Sequence, residues 1–200
     1  AVIKAFRHIN QMADAGETLI VVAAFVYDGV DPVLDEILKD LERKGNVYIV
    51  ASSDNIRGLN SKAQPALPCS ASTLSNVDCV ASRNANGELA LWSSFGDAIT
   101  QTGYCDNIVA GYPGDWYGNF IGNSGCVPQI AALASLVWGY AYERGVNLSA
   151  SELKMLMQRG ASFAPGLISA LYLSEVLHPH TLDAERLFQV VDQYLEGKLE

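Results

Sequence analysis

The sequence predicts a three-layer α/β domain, a mostly parallel sheet between helices. Three observations predict it. Two short apolar runs, TLIVVAAF (18–25) and NVYIVAS (46–52), read as strands buried on both faces. A segment of helical period lies between them, which is the spacing of a right-handed βαβ unit. A third apolar run, 130–142, is apolar on nearly every side, so it reads as a helix buried in the middle of the domain.

Each element has its own signal. Val2, Ile3, Phe6, Ile9, Met12 and Ala13 mark one face of a first helix, ended near Gly16. Pro32 sits where a helix over 33–44 would take its first turn, and Gly45 would end it. The stretch 52–68 is polar and punctuated, a surface loop. DCVASRNANGELALWS (78–93) reads as a hairpin turning at Asn86-Gly87, and NIVAGYPG (107–114) as a short strand and turn. Ser149 to Glu152, Ser-Ala-Ser-Glu, is a capping box for a further helix. A last amphipathic helix covers 182–195. Nothing reads as a linker or repeat, so one domain over 1–200 is the simplest account.

Composition narrows the function. The chain has 200 residues, 50% of them hydrophobic, enough for a substantial core. Its formal charge is −9, which argues against nucleic acid and anionic membrane surfaces as partners. The longest apolar stretch is too short to span a bilayer. The four cysteines, Cys69, Cys79, Cys105 and Cys126, form no CxxC pair, which argues against a zinc site. Their even number permits disulfides between loop cysteines and leans toward an oxidising compartment and secretion. Cys126, facing a buried helix, reads as a free apolar thiol. The opening AVIKAFRHINQM reads as mid-domain helix, so a processed chain or fragment is expected.

The chemistry concentrates in FIGNSGCVPQ (120–129). Ser124 lies in a polar turn before the apolar helix. Ser124 or Asn123 would serve there as an ordinary helix cap. Alternatively Ser124 is a nucleophile, placed beside unpaired backbone N–H groups and the positive end of the helix dipole, where an oxyanion is stabilised.

Gly122-Asn123-Ser124-Gly125-Cys126-Val127-Pro128 resembles the Gly-Thr-Ser-Met-Ala-x-Pro motif around the nucleophile of subtilisin-like serine peptidases, the subtilases. YIVASSDN (48–55) resembles that family's Val-Ala-Ala-Ala-Gly-Asn strand end and puts Asn55 on the oxyanion asparagine. LWSSFG (91–96), NIVAGYPG, LSASELKMLMQRGA (148–161) and TLDAERLFQVV (181–191) resemble further segments, in family order and over nearly the whole chain. The resemblance implies a subtilisin-like fold, apparently lacking its N-terminal part, and a serine endopeptidase with Ser124 as nucleophile and Asn55 as oxyanion donor. It implies a peptide or protein substrate, bound along Ala23, Ala24, Phe25, Ser53 and Asp54. It also allows calcium, as in many subtilases, although no metal site is readable and no cofactor is expected.

Several positions depart from the family. Its Asp and His lie upstream of the strand matched by 18–25, so they would come from a preceding segment of the same precursor. None of the three histidines stands in for that His. His8 is followed by Ile9-Asn10 rather than Gly, and reads as a partly exposed helix residue. His178 and His180 form an H-x-H without a third ligand nearby, which reads as a solvated loop. Phe25 puts a ring where the family leaves space, Asp54 puts a carboxylate beside the oxyanion site, and Asn123 and Gly125 replace Thr and Met. These departures keep a second reading open, a subtilase-like pseudoenzyme that binds a peptide or partner protein. An unrelated α/β hydrolase is disfavoured, because Gly122-Asn123-Ser124-Gly125 is not a Gly-x-Ser-x-Gly elbow.

Overall fold

In the computed structural model, residues 1–56, 60–61, 64–105, 107–163, 180–181 and 183–197 are described. Helix α1 (Val2–Asp14) packs on α2 (Pro32–Lys44) along one face of the sheet. Asp31 starts α2 by accepting hydrogen bonds from the N–H groups of Val33 and Leu34 at 2.9 and 3.2 Å, with Pro32 in the first turn. Gly45 ends it at φ 73°, the left-handed conformation that glycine adopts without strain. Lys44 ties the two helices together, pairing with Asp14 at 2.6 Å and donating to Asn10 Oδ1 at 2.7 Å.

The sheet has six strands in the order β1-β3-β5-β6-β10-β9. They are β1 (Leu19–Ala23), β3 (Val47–Ser52), β5 (Val77–Arg83), β6 (Gln101–Tyr104), β9 (Ser162–Phe163) and β10 (His180–Thr181). All neighbours run parallel except β9, which is antiparallel to β10. Strand alternation divides the core in two. Val47, Ile49 and Ala51 of β3 face α1 and α2, while Tyr48 and Val50 face α3 (Cys126–Glu143), α4 (Ala150–Gly160) and α5 (Ala184–Leu195). A two-stranded ribbon, β2 (Tyr27–Asp28) with β4 (Ala66–Leu67), lies beside the sheet, and a hairpin, β7 (Ile108–Tyr112) with β8 (Trp116–Phe120), precedes α3.

The expected capping box is present. Ser149 Oγ accepts from the Glu152 N–H, and the Glu152 carboxylate accepts from the Ser149 N–H at 2.7 Å. The turn expected at Asn86-Gly87 is closed by Gly87 N–H to Asn84 O at 2.9 Å. The returning segment meets β5 at the Arg83–Leu89 bridge, with the Arg83 guanidinium donating to the Gly87 carbonyl.

Four expectations need correction. The first strand is not buried on both faces: it pairs with β3 alone among the described residues, and Val22 is 49% exposed. The central helix is not buried all round, since its Leu136 and Tyr142 are exposed. Cys126 is not a free thiol. It is bonded to Cys105, their Cα atoms 5.4 Å apart, because the end of β6 runs beside the first turn of α3. The second disulfide joins Cys69 and Cys79. Finally, the backbone of His180 is in strand β10 and not in a loop, while His178 lies outside the described residues.

Among the described residues no helix is long and apolar enough to cross a membrane. Nor do three His, Cys, Asp or Glu side chains gather among the described residues in a way that fits a metal ion.

Candidate active site

The parallel strands all point one way, so their C-terminal ends share one edge of the sheet, where open α/β folds place ligands. Ala24 follows β1 at this edge, and Ser53, Asp54 and Asn55 follow β3. The turn 122–125 approaches from the far side, carried in by β8 and continued into α3. Residues more than sixty positions apart therefore meet.

Asn123 is the pin. It is fully buried, and every polar atom of its side chain is engaged. Its Nδ2 donates to Ser53 Oγ and to the Asp54 carbonyl, both at 2.8 Å, and its Oδ1 accepts from the Ser93 hydroxyl at 3.1 Å. Its backbone N–H donates to Asn55 Oδ1 at 2.8 Å. That bond orients the Asn55 amide. With Oδ1 taken, Nδ2 lies against the turn and donates to no protein acceptor among the described residues. It lies 3.5 Å from where a Cβ on Gly122 would stand. Gly122 has φ 153°, inside the region that favours glycine, so the turn needs a glycine there.

Ser124 sits in the single turn of tighter helix, Asn123–Gly125, that leads into α3. Neither it nor Asn123 caps that helix: no side chain accepts from the first N–H groups of either segment. The cap reading of the motif is thereby overturned. Instead the Ser124 hydroxyl donates to the Ala24 carbonyl at 3.1 Å, across to the end of β1. A carbonyl oxygen holds that proton in place but cannot take it up at neutral pH.

The remaining predicted residues separate by exposure. Ala23 and Ser53 are buried, and Ser53 supports Asn123 from beneath. Ala24, Asp54 and Asn55 reach solvent, Asp54 only in part. The Asp54 carboxylate turns back to accept the Asn55 N–H at 2.7 Å. Phe25 is half-buried, its ring packed against the α1–α2 core. His8 stands exposed on α1.

Two contributors escaped the sequence reading. In the sequence Ser93 has a place in the hairpin and in the LWSSFG segment but no role. Phe120 has none either, yet its ring lies against both Gly122 and Gly125, where an added Cβ would stand 3.5 and 3.1 Å from it. Paired glycines flanking Ser124 were the available signal, since they mark a place where something bulky must approach the backbone.

No family model matches this chain, and no curated protein matches it by sequence. Solved structures do. The prenylagaramide maturation protease PagA superposes with a TM-score of 0.78 at 17% identity, over 96% of this chain and 68% of that one. The chain has the subtilisin-like fold. The patellamide maturation protease PatA gives 0.75 at 17%, over 98% of this chain and 70% of that one. A cold-adapted subtilisin-like serine proteinase gives 0.71 at 17%, over 92% of this chain and 60% of that one. The subtilisin-like fold thus extends over nearly all of this chain, which spans about two thirds of the chains that share it.

Proposed function

We propose that this chain carries the nucleophile side of a subtilisin-like serine endopeptidase site. Ser124 attacks the peptide carbonyl. The Asn55 Nδ2 and the Ser124 backbone N–H receive the oxyanion. The Asp and His come from a preceding segment of the same precursor, and peptide bonds are hydrolysed when it is in place. The observation that carries this reading is the bond between Asn55 Oδ1 and the Asn123 N–H. It turns a free amide donor toward the turn that holds Ser124. The substrate is a peptide or protein, as it is for the proteases that share the fold.

The chemistry sets a condition. A serine hydroxyl is a weak nucleophile until a base takes its proton, and the base needs an orienting carboxylate. Among the described residues the Ser124 hydroxyl is bonded to the Ala24 carbonyl, and no histidine or carboxylate is hydrogen-bonded to it. A second reading, a pseudoenzyme that binds peptide without cutting it, is favoured by one observation: the Ser124 proton is already given to the Ala24 carbonyl.

The test is reconstitution. The 200 residues are assayed against a mixed peptide library, alone and with the segment encoded before Ala1, using Ser124→Ala as control. The endopeptidase reading expects no cleavage by the chain alone and Ser124-dependent cleavage with the segment. No cleavage in either case, while a peptide still binds, leaves the pseudoenzyme. Robust Ser124-dependent cleavage by the chain alone would mean that a base is present within it, and His8 would be the first residue to mutate.

A further inference from the structure

We propose that the stacked rings of Tyr112 and Trp116 form an additional peptide-binding step. This step grips an apolar side chain about four residues from the bond presented to Ser124. The proposal rests on reading Ser124 as the centre of a peptide-binding site, and it names the residues that extend that site.

The β7–β8 hairpin runs directly into the nucleophile turn. Its register pairs Ile108 with Phe120, Ala110 with Gly118 and Tyr112 with Trp116, which puts these side chains on one face. At the near end, Ile108 and Phe120 lie against Gly125, where an added Cβ would stand 2.9 and 3.1 Å from them. At the far end, the Tyr112 and Trp116 rings stack with centroids 4.5 Å apart and planes 20° apart. One face therefore leads from the nucleophile turn to the ring pair. Four residues of strand separate Phe120 from Trp116, about 13 Å. An extended peptide laid along this face covers that length with about four of its own residues.

The ring pair is built to receive something. Trp116 is 54% exposed, a large apolar surface left open to water. The pair is also held in place. The Tyr112 hydroxyl donates to the Asn119 carbonyl at 3.0 Å, and Gly118 lets both rings lie against the strand. A Cβ there would stand 2.9 Å from Trp116 and 3.0 Å from Tyr112. Rings fixed beforehand bind an apolar group without a large ordering cost. The occupant's chemistry follows from charge: residues 107–120 include one charged side chain, Asp115, so the face suits an uncharged, apolar peptide stretch.

The experiment is a binding measurement that does not depend on catalysis. Ser124→Ala protein is titrated with two fluorescein-labelled decapeptides of alanine and glutamine, one carrying a single leucine and the other alanine in its place. Fluorescence anisotropy should give at least a fivefold tighter Kd for the leucine peptide. Trp116→Ala should abolish that difference, and Trp116→Phe should keep most of it. Equal affinities for the two peptides, or a leucine preference that survives Trp116→Ala, would overturn the proposal. Absence of hydrolysis in the reconstitution assay would count against the endopeptidase reading alone and leave this measurement intact.

Discussion

Asn123 holds the candidate site together more than Ser124 does. Its side chain joins the end of β3 and the Ser93 loop to the turn that holds Ser124 through three separate groups. Removing it takes the donor from the buried Ser53 hydroxyl and leaves a cavity. It also takes one bond each from the Asp54 carbonyl and the Ser93 hydroxyl, which keep the Ser94 N–H and the Ser94 carbonyl as partners. A buried group left without a bond costs about 1–3 kcal/mol. We expect Asn123→Ala to lose about 3 kcal/mol in urea unfolding, whereas Ser124→Ala, which gives up one half-exposed bond, should lose under about 1 kcal/mol. Comparable losses for the two would mean that Asn123 is not the pin. At this scale the sequence was legible in part. Ser124 and Asn55 stood out because their neighbours match known motifs in order. Asn123 registered as a candidate helix cap and as a departure from a threonine, not as a pin, because its role depends on Ser53, Asp54 and Ser93, which the fold alone brings near.

Individual elements show what local pattern reveals and what it hides. The capping box at Ser149 was readable because donor and acceptor lie three residues apart. Within it the Glu152 carboxyl is held below its usual range, first by the Ser149 hydroxyl, then by the Tyr194 hydroxyl at 2.6 Å and the Ser149 N–H. A carboxylate with a depressed folded-state pKa adds stability above its unfolded pKa, and that stability is lost as pH falls through the folded value. Glu152→Gln should therefore lower Tm at pH 7, and the difference should narrow steadily as pH falls below the ordinary carboxyl value of about 4.3. A gap that does not narrow with acid would show the effect to be packing and not charge. The Cys105–Cys126 bond was hidden for the opposite reason. Its halves lie 21 residues apart, and their meeting depends on how β6 passes the start of α3. Closing a loop of this size is worth about 3 kcal/mol. The Cys105→Ser, Cys126→Ser double variant should lose that much in urea unfolding, and an unchanged midpoint would rule the bond out. Strand β8 was missed as well, since WYGNF has a glycine at its centre and no strict alternation.

Across the whole molecule, the three-layer arrangement was legible because buried parallel strands and amphipathic helices carry different periods. The open edge was legible only through the resemblance, which implies missing N-terminal strands and hence an exposed apolar seam beside them. The run TLIVVAAF by itself looks the same whether one neighbour or two flank it. The edge leaves an apolar face. Ile20 and Val22 alternate onto the α3 side of β1, and the exposed Tyr142 of α3 lies toward the same side. Thr18, Ile20, Trp138 and Leu148 line a groove of about 540 Å3 there. An uncovered edge strand with such a face promotes association. In sedimentation velocity the isolated 200 residues should associate as concentration rises, and Val22→Lys should shift them toward monomer. A monomer at all concentrations would mean that this face needs no cover.

The central claim is that Ser124 is a nucleophile whose base comes from outside these 200 residues. The most direct measurement is labelling by a fluorophosphonate probe, with the adduct mapped by mass spectrometry. Such labelling requires a group that takes the serine proton. The account predicts slow labelling of the chain alone and brisk labelling at Ser124 once the preceding segment is added. It predicts none in Ser124→Ala, and a rate about 10²–10³ lower in Asn55→Ala. Brisk labelling of the isolated chain, or an adduct on any residue other than Ser124, would contradict it.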